Sequence, residues 1–294
     1  MFSGQMPGIS MSPGRQGSGP TRIEADLSIN RGERLMRRAS TCLAVLGLMA
    51  VVLALPGAAS AVPTVTFKAK PVPIPGFPHT GNILGAGAAI QAEYTISSTE
   101  YGGYPPPLIG VEFFFPKGTV LHPSGFPTCA DSVLEPSGPG PKGCPKGSKA
   151  GPTGKVLGEV AFGTEVVPET ATIESFYSPN GGVTFFTFGH EPVLLEILSK
   201  AHYTSATGLY NKTLVAEVPL VETVPGANDA SVKTISVKAG SAIKKNGKTI
   251  YYGRVPTKCP KGGFPVKTIL TFAGLGGLPE QKVEKLYKAP CPRK

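Results

Sequence analysis

The chain has 294 residues, among them 38 Gly, 31 Pro and no Trp, and carries a formal net charge of +10. Its positive charge is scattered, without the basic cluster or stripe that marks a nucleic-acid interface, so nucleic acid is excluded as a partner. No convincing amphipathic helix occurs beyond the N-terminal region, which argues against an α-rich fold.

Residues 1–35 are polar and Gly/Ser-rich and are expected to be a disordered upstream extension, with Met36 as the initiator. Residues 36–61 have the form of a signal peptide. Arg37 and Arg38 open it, an apolar run covers residues 42–55, Pro56-Gly57 stops the run, and Ala59-Ser60-Ala61 supplies the small residues of a cleavage site. The apolar run is 14 residues long, whereas a spanning helix takes roughly 20. Cleavage is therefore expected after Ala61, giving a secreted or peripheral cell-envelope protein without a transmembrane segment.

The mature chain, residues 62–294, has 23 Lys or Arg against 16 Asp or Glu. Only two of its basic residues are Arg, Arg254 and Arg293. For an exported protein this points to an anionic cell-envelope polymer or another surface protein as partner, or else to a solvated basic surface.

Alternation of apolar and polar residues predicts strands at residues 64–70, 88–96 and 108–115. The Pro-rich run 71–78 cannot join a central ladder and is expected to cross an edge or to cover the sheet as extended polyproline-like chain. Residues 97–107 are a loop whose Tyr101 and Tyr104 are expected either to contact a ligand or to lie on Pro105, Pro106 and Pro107. The Pro/Gly-rich stretch 122–154 allows one helical turn near residues 130–134 and needs a staple to be ordered. Further strands are expected at 155–162, 171–177, 183–188, 213–221 and 231–238, and a strand or short helix at 193–198. Asn180-Gly181 and Asn246-Gly247 are hairpin signals, and residues 265–272 should return as 282–287 after a Gly-rich turn.

Ten to twelve short strands with Pro/Gly-rich connections predict an all-β fold, an antiparallel β-sandwich of jelly-roll or two-sheet type, in one domain or two sub-domains. Four cysteines remain after cleavage: Cys129, Cys144, Cys259 and Cys291. In an oxidising compartment they read as two disulfides, for which three connectivities exist. Sequence order favours Cys129 with Cys144 and Cys259 with Cys291, the latter pair bracketing the last hairpin.

The chain lacks G-x-S-x-G and H-E-x-x-H, and its Gly247-Lys248-Thr249 sits in a hairpin, not between a strand and a phosphate-binding helix. His79, His122, His190 and His202 are scattered, and no Cys/His spacing suits a metal. Glu169 with Glu174, or Glu191 with Glu196, are the carboxylate pairs considered for glycosidase chemistry, and each is most simply solvent-facing. No catalytic residue, metal or cofactor is therefore expected. Tyr101, Tyr104, Tyr251 and Tyr252 are the binding candidates.

The pattern Gly125-Phe126-Pro127-Thr128-Cys129, Cys144-Pro145-Lys146-Gly147-Ser148, Cys259-Pro260-Lys261-Gly262-Gly263 and Ala289-Pro290-Cys291-Pro292 resembles a group of exported β-rich proteins of high-GC actinobacteria. The resemblance covers most of the mature chain and implies a shared disulfide-bearing fold. That group has no established activity to carry over. The expected function is thus a non-enzymatic secreted or cell-envelope protein that binds a surface polymer or partner protein. The alternatives are a secreted carbohydrate-active enzyme with a Glu pair and a purely structural envelope or matrix component.

Overall fold

The computed structural model describes residues 62–77, 84–98, 104–162, 165–221, 230–274 and 278–291. The upstream extension, the signal peptide with its cleavage site, Tyr101 and His79 lie outside the described residues.

The chain is almost entirely β. Eleven strands join in one antiparallel sheet: β1 (Thr64–Val72), β2 (Ala89–Ser97), β3 (Leu108–Pro116), β5 (Gly154–Phe162), β6 (Glu165–Tyr177), β7 (Val183–Gly189), β8 (Leu195–Ser205), β9 (Tyr210–Glu217), β10 (Ser231–Ala239), β14 (Phe264–Phe272) and β15 (Gln281–Ala289). Their spatial order is β1-β2-β10-β5-β6-β7-β8-β9-β3-β14-β15. The middle, β5 to β9, is a meander of sequence neighbours. On either side stand strands from distant parts of the chain, β10 beside β5 and β3 beside β9. Short strands β4 (Val120–Leu121) and β13 (Gly253–Arg254) pair with each other, as do β11 (Ala242–Lys245) and β12 (Lys248–Tyr251).

The sequence suggests two facing sheets, but hydrogen bonding links all the long strands into one. The sheet curls until its edge strands approach, with the ring of Phe67 on β1 lying 6.1 Å from that of Tyr287 on β15. A right-handed twist accumulated over so many strands bends a sheet toward closure and gives both walls a common interior.

Alternation explains which side chains face that interior. Along β1, Val65, Phe67 and Ala69 are buried while Thr64, Thr66 and Lys68 are exposed. On β14, Phe264, Val266, Thr268, Leu270 and Phe272 are all buried. These residues meet Tyr94, Ile96, Phe113, Phe115 and Val283 in the main core. Tyr94 stacks on Phe67 at 5.0 Å. Its hydroxyl lies 3.4 Å from that of Thr268, which donates at 2.9 Å to the carbonyl of Glu112. Burial pushes the Tyr94 phenol up to about 12 against that hydrogen bond.

The hairpin signals hold. β11 and β12 turn at Asn246 and Gly247, which have φ of 51° and 73°. Positive φ at both central residues is what a two-residue primed turn needs. β6 and β7 join through residues 178–182, and β14 pairs with β15 along its whole length.

Both disulfides form as the sequence suggests, Cys129–Cys144 with Cα atoms 5.1 Å apart and Cys259–Cys291 with 6.1 Å. The repeated Cys-Pro-Lys-Gly has a common structure. Ser148 N–H donates to the Pro145 carbonyl at 3.1 Å and Gly263 N–H to that of Pro260 at 3.0 Å. Gly147 and Gly262 each have φ of 87°, as a type II turn requires at its third position.

The stapled stretch between β4 and β5 contains α1 (Asp131–Leu134) and a short 3-10 turn (Pro141–Gly143). It covers the outside of the meander, where Cys129 and Leu134 pack on Phe176 and Phe186 with Phe188 and Leu198 beside them. Thr184 donates to Asp131 at 2.9 Å, and Lys200 pairs with Asp131 at 3.1 Å. A closed loop of this size gains about 3 kcal/mol from its disulfide on the chain-entropy account. β6, β7 and β8 therefore carry apolar residues on both faces, the inner set toward the interior and the outer set under this cover.

Candidate functional site

β6 sets the geometry of the interior. Its buried positions Glu169, Ala171, Ile173, Ser175 and Tyr177 follow the two-residue period of one face. Val156 on β5, Val232, Ile235 and Val237 on β10, and Phe185 on β7 gather around Ala171 and Ile173. Many of the facing residues are small: Gly158, Ala171, Ser199, Ala216 and Ala92 leave room where larger side chains would fill. The result is a cavity of about 250 Å³ with an almost wholly apolar lining. Small-molecule sites usually run from roughly 300 to 1,000 Å³, so the space falls a little below that range.

Three phenols gather where β6 ends. Tyr177 stacks on Tyr252 at 4.1 Å, and Tyr203 on β8 lies 6.4 Å from Tyr252. Phe126 meets both Tyr177 and Tyr252 edge-on, at 5.1 and 5.4 Å. The Tyr177 hydroxyl shares a 2.8 Å hydrogen bond with Ser241. Burial raises the pKa of all three phenols, most strongly at Tyr177 and Tyr203, so they stay neutral donors and acceptors.

A carboxyl stands where β6 begins. Glu169 is 3% exposed, lines the cavity, and accepts a 3.2 Å hydrogen bond from Val193 N–H at Oε2. Its Oε1 is buried without a hydrogen-bond partner. Burial pushes the carboxyl up, opposed by the backbone N–H groups of Val193 and Glu191 and by nearby His190, and assisted by the Glu191 charge. Glu169 and Tyr177 are eight positions apart on one strand, which at the usual rise separates the two polar ends by about 26 Å.

The structure distributes the sequence candidates differently. Tyr252 is 4% exposed and joins the phenol cluster on the cavity wall. Tyr251, its neighbour, faces away: its ring lies over Gly87, where an added Cβ would stand 1.9 Å from the ring. Tyr104 is buried in the segment leading into β3, at the opposite end from Tyr252, where Ser231 donates a hydrogen bond to the Pro105 carbonyl. Glu174 lies on the outer face of β6, bound by Lys149 at 2.7 Å and Thr153 at 2.8 Å. It cannot face Glu169, five positions away on the same strand. His122, His190 and His202 are exposed. Among the described residues no group of His, Cys, Asp or Glu could hold a metal, and no helix is long and apolar enough to cross a membrane.

No family model, curated protein or solved structure matches this chain.

The burial of Glu169 overturns the solvent-facing position that its sequence suggests. The alternating run read from the sequence begins at Ala171, which leaves the carboxylate just outside it. β6 in fact begins at Glu165. Continuing the alternation back from Ile173 and Ala171 puts Glu169 on the apolar face, a signal that is present but interrupted by Pro168.

Proposed function

We propose that the mature chain is an exported, non-enzymatic binding protein that holds an apolar small molecule inside its nearly closed sheet. In this reading the sandwich expected from the sequence is the curled sheet seen as two facing walls. One observation carries the reading: an interior cavity walled by Val, Ile, Ala and Phe side chains from both sides of the sheet. An apolar void gains little from water, and an apolar guest restores the dispersion contacts its lining lacks. Two disulfides suit an oxidising compartment and support export.

Titration of the full-length chain with the apolar dye diphenylhexatriene tests the function. Saturable fluorescence at one dye per chain is expected. Linear, non-saturating fluorescence would leave the cavity without a role as a binding site.

A second observation favours an anionic envelope polymer as docking partner. Lys244, Lys245 and Lys248 are all exposed around the β11–β12 turn, and such a group gives salt-sensitive attraction to polyanions. Retention on a polyanionic matrix that survives charge reversal of these three lysines would remove this part of the proposal.

A further inference from the structure

We infer that Glu169 anchors the head group of the cavity's occupant and selects an apolar chain that ends in a protonated primary amine. The inference rests on the reading that the cavity takes an apolar ligand.

A buried carboxylate needs a full set of partners, because removing it from water costs far more than one hydrogen bond returns. Glu169 does not have that set. Val193 N–H donates to Oε2 and the Glu191 N–H also acts on the carboxyl, while Oε1 is buried without a hydrogen-bond partner. The neighbouring carboxylate at this end differs in charge: Glu159 on β5, whose Oε2 is likewise buried without a partner, has the compensating charge of Lys233 on β10 at 2.6 Å from its Oε1. Among the described residues no Lys or Arg forms such a pair with Glu169. The titratable side chains that act on it are His190 and Glu191, on the corner after β7, and they do so with opposite signs.

Gly189 makes the room for this carboxyl. A Cβ added there would stand 2.4 Å from Oε1, so any side chain at that position would press on the oxygen. The apolar wall continues directly from the carboxyl through Ala171 and Ile173. An apolar chain lying along β6 would therefore bring its terminal group to Glu169.

The chemistry of that group follows from Oε1. An ammonium offers three donors and a compensating charge, and charge-assisted hydrogen bonds are about twice as strong as neutral ones. A hydroxyl offers one donor and no charge. A carboxylate head would place two like charges together in a medium of low dielectric and be rejected.

Displacement of diphenylhexatriene from the full-length chain by decylamine, decanol and decanoate at neutral pH tests this. Decylamine should displace the dye at a concentration about tenfold lower than decanol, the worth of one hydrogen bond to a charged group, with decanoate weakest. Glu169→Gln keeps the shape and removes the charge. It should bring decylamine to the level of decanol, each displacement being scaled to the variant's own affinity for the dye. Gly189→Ala, which pushes on Oε1 and leaves the charge, should weaken decylamine alone, and it decides the matter if the Gln variant fails to show native circular dichroism.

An amine preference that persists in Glu169→Gln, or equal displacement by all three chains in the wild type, would overturn the anchor and leave the binding function standing. A wild-type chain that never binds the dye would sink the function itself, and the anchor with it.

Discussion

Ile96 on β2 and Ile173 on β6 both point inward from long antiparallel strands, yet their surroundings differ. Ile96 is 1% exposed and packs in the main core with Val65, Phe67, Leu270 and Phe272, none of which touches the cavity. Ile173 is 9% exposed and borders open space, among Ala171, Val156 and the side chains of β10. Alternation places both residues inside. What separates the filled surroundings of Ile96 from the hollow ones of Ile173 is the volume of the neighbouring residues, Phe67 and Phe272 near the first and Ala171 near the second.

The largest effect should come from cutting both isoleucines to Ala. Such truncations cost about 2–5 kcal/mol, rising with the size of the new void that the surroundings fail to close. Ile96→Ala should fall near the top of that range and Ile173→Ala near the bottom, read from urea titrations. Equal losses would mean that the two halves are filled alike.

Additions should sort the other way. Ala69→Leu enlarges a residue that is 2% exposed and does not line the cavity, and it should cost about 1–3 kcal/mol by overpacking. Ala171→Leu adds the same atoms where space exists, so stability should stay within about 1 kcal/mol of wild type. That variant should nevertheless lose diphenylhexatriene binding. A strongly destabilised, dye-binding Ala171→Leu protein would place the cavity elsewhere.

The smallest effect concerns the pH dependence of the hollow half. The Glu169 carboxyl is raised from its ordinary value, so the fold favours its protonated form. That contribution is complete below the ordinary Glu range and is lost as pH rises through the higher folded value. Glu169→Gln, which cannot ionise, should therefore match wild type near pH 4 and exceed it at neutral pH, in paired urea titrations. A gap that widens toward acid pH would mean that the carboxylate is stabilised in the fold.

Strand identity was legible because the alternation in residues 64–70, 88–96 and 231–238 is local, and so were the Asn-Gly turns and the disulfide that closes the last hairpin. Sheet order was not. Nothing in β2 states that Tyr94 will face Ile235 of β10, or in β3 that Phe113 will face Leu214 of β9. Many strands share the same binary pattern, so pairing is decided by the three-dimensional fit of the whole sheet. The cover over β6, β7 and β8 was half visible. Phe186 and Phe188 sit at outward positions, and their apolar character already required something to lie on them. The cavity was least visible, because Gly158, Ala171 and Ser199 look unremarkable singly and matter only where the fold sets them face to face.

The strand order also dictates when the molecule can be completed. The meander β5 to β9 needs only neighbouring segments and can assemble as soon as they are available. β2 waits for β10, and β3 waits for β14, the last strand but one. Until residue 272 is available, β3 lacks one of its two neighbours. Pairings so distant along the chain make for slow closure, and under the export proposed above that delay would keep the polypeptide threadable until almost all of it is outside.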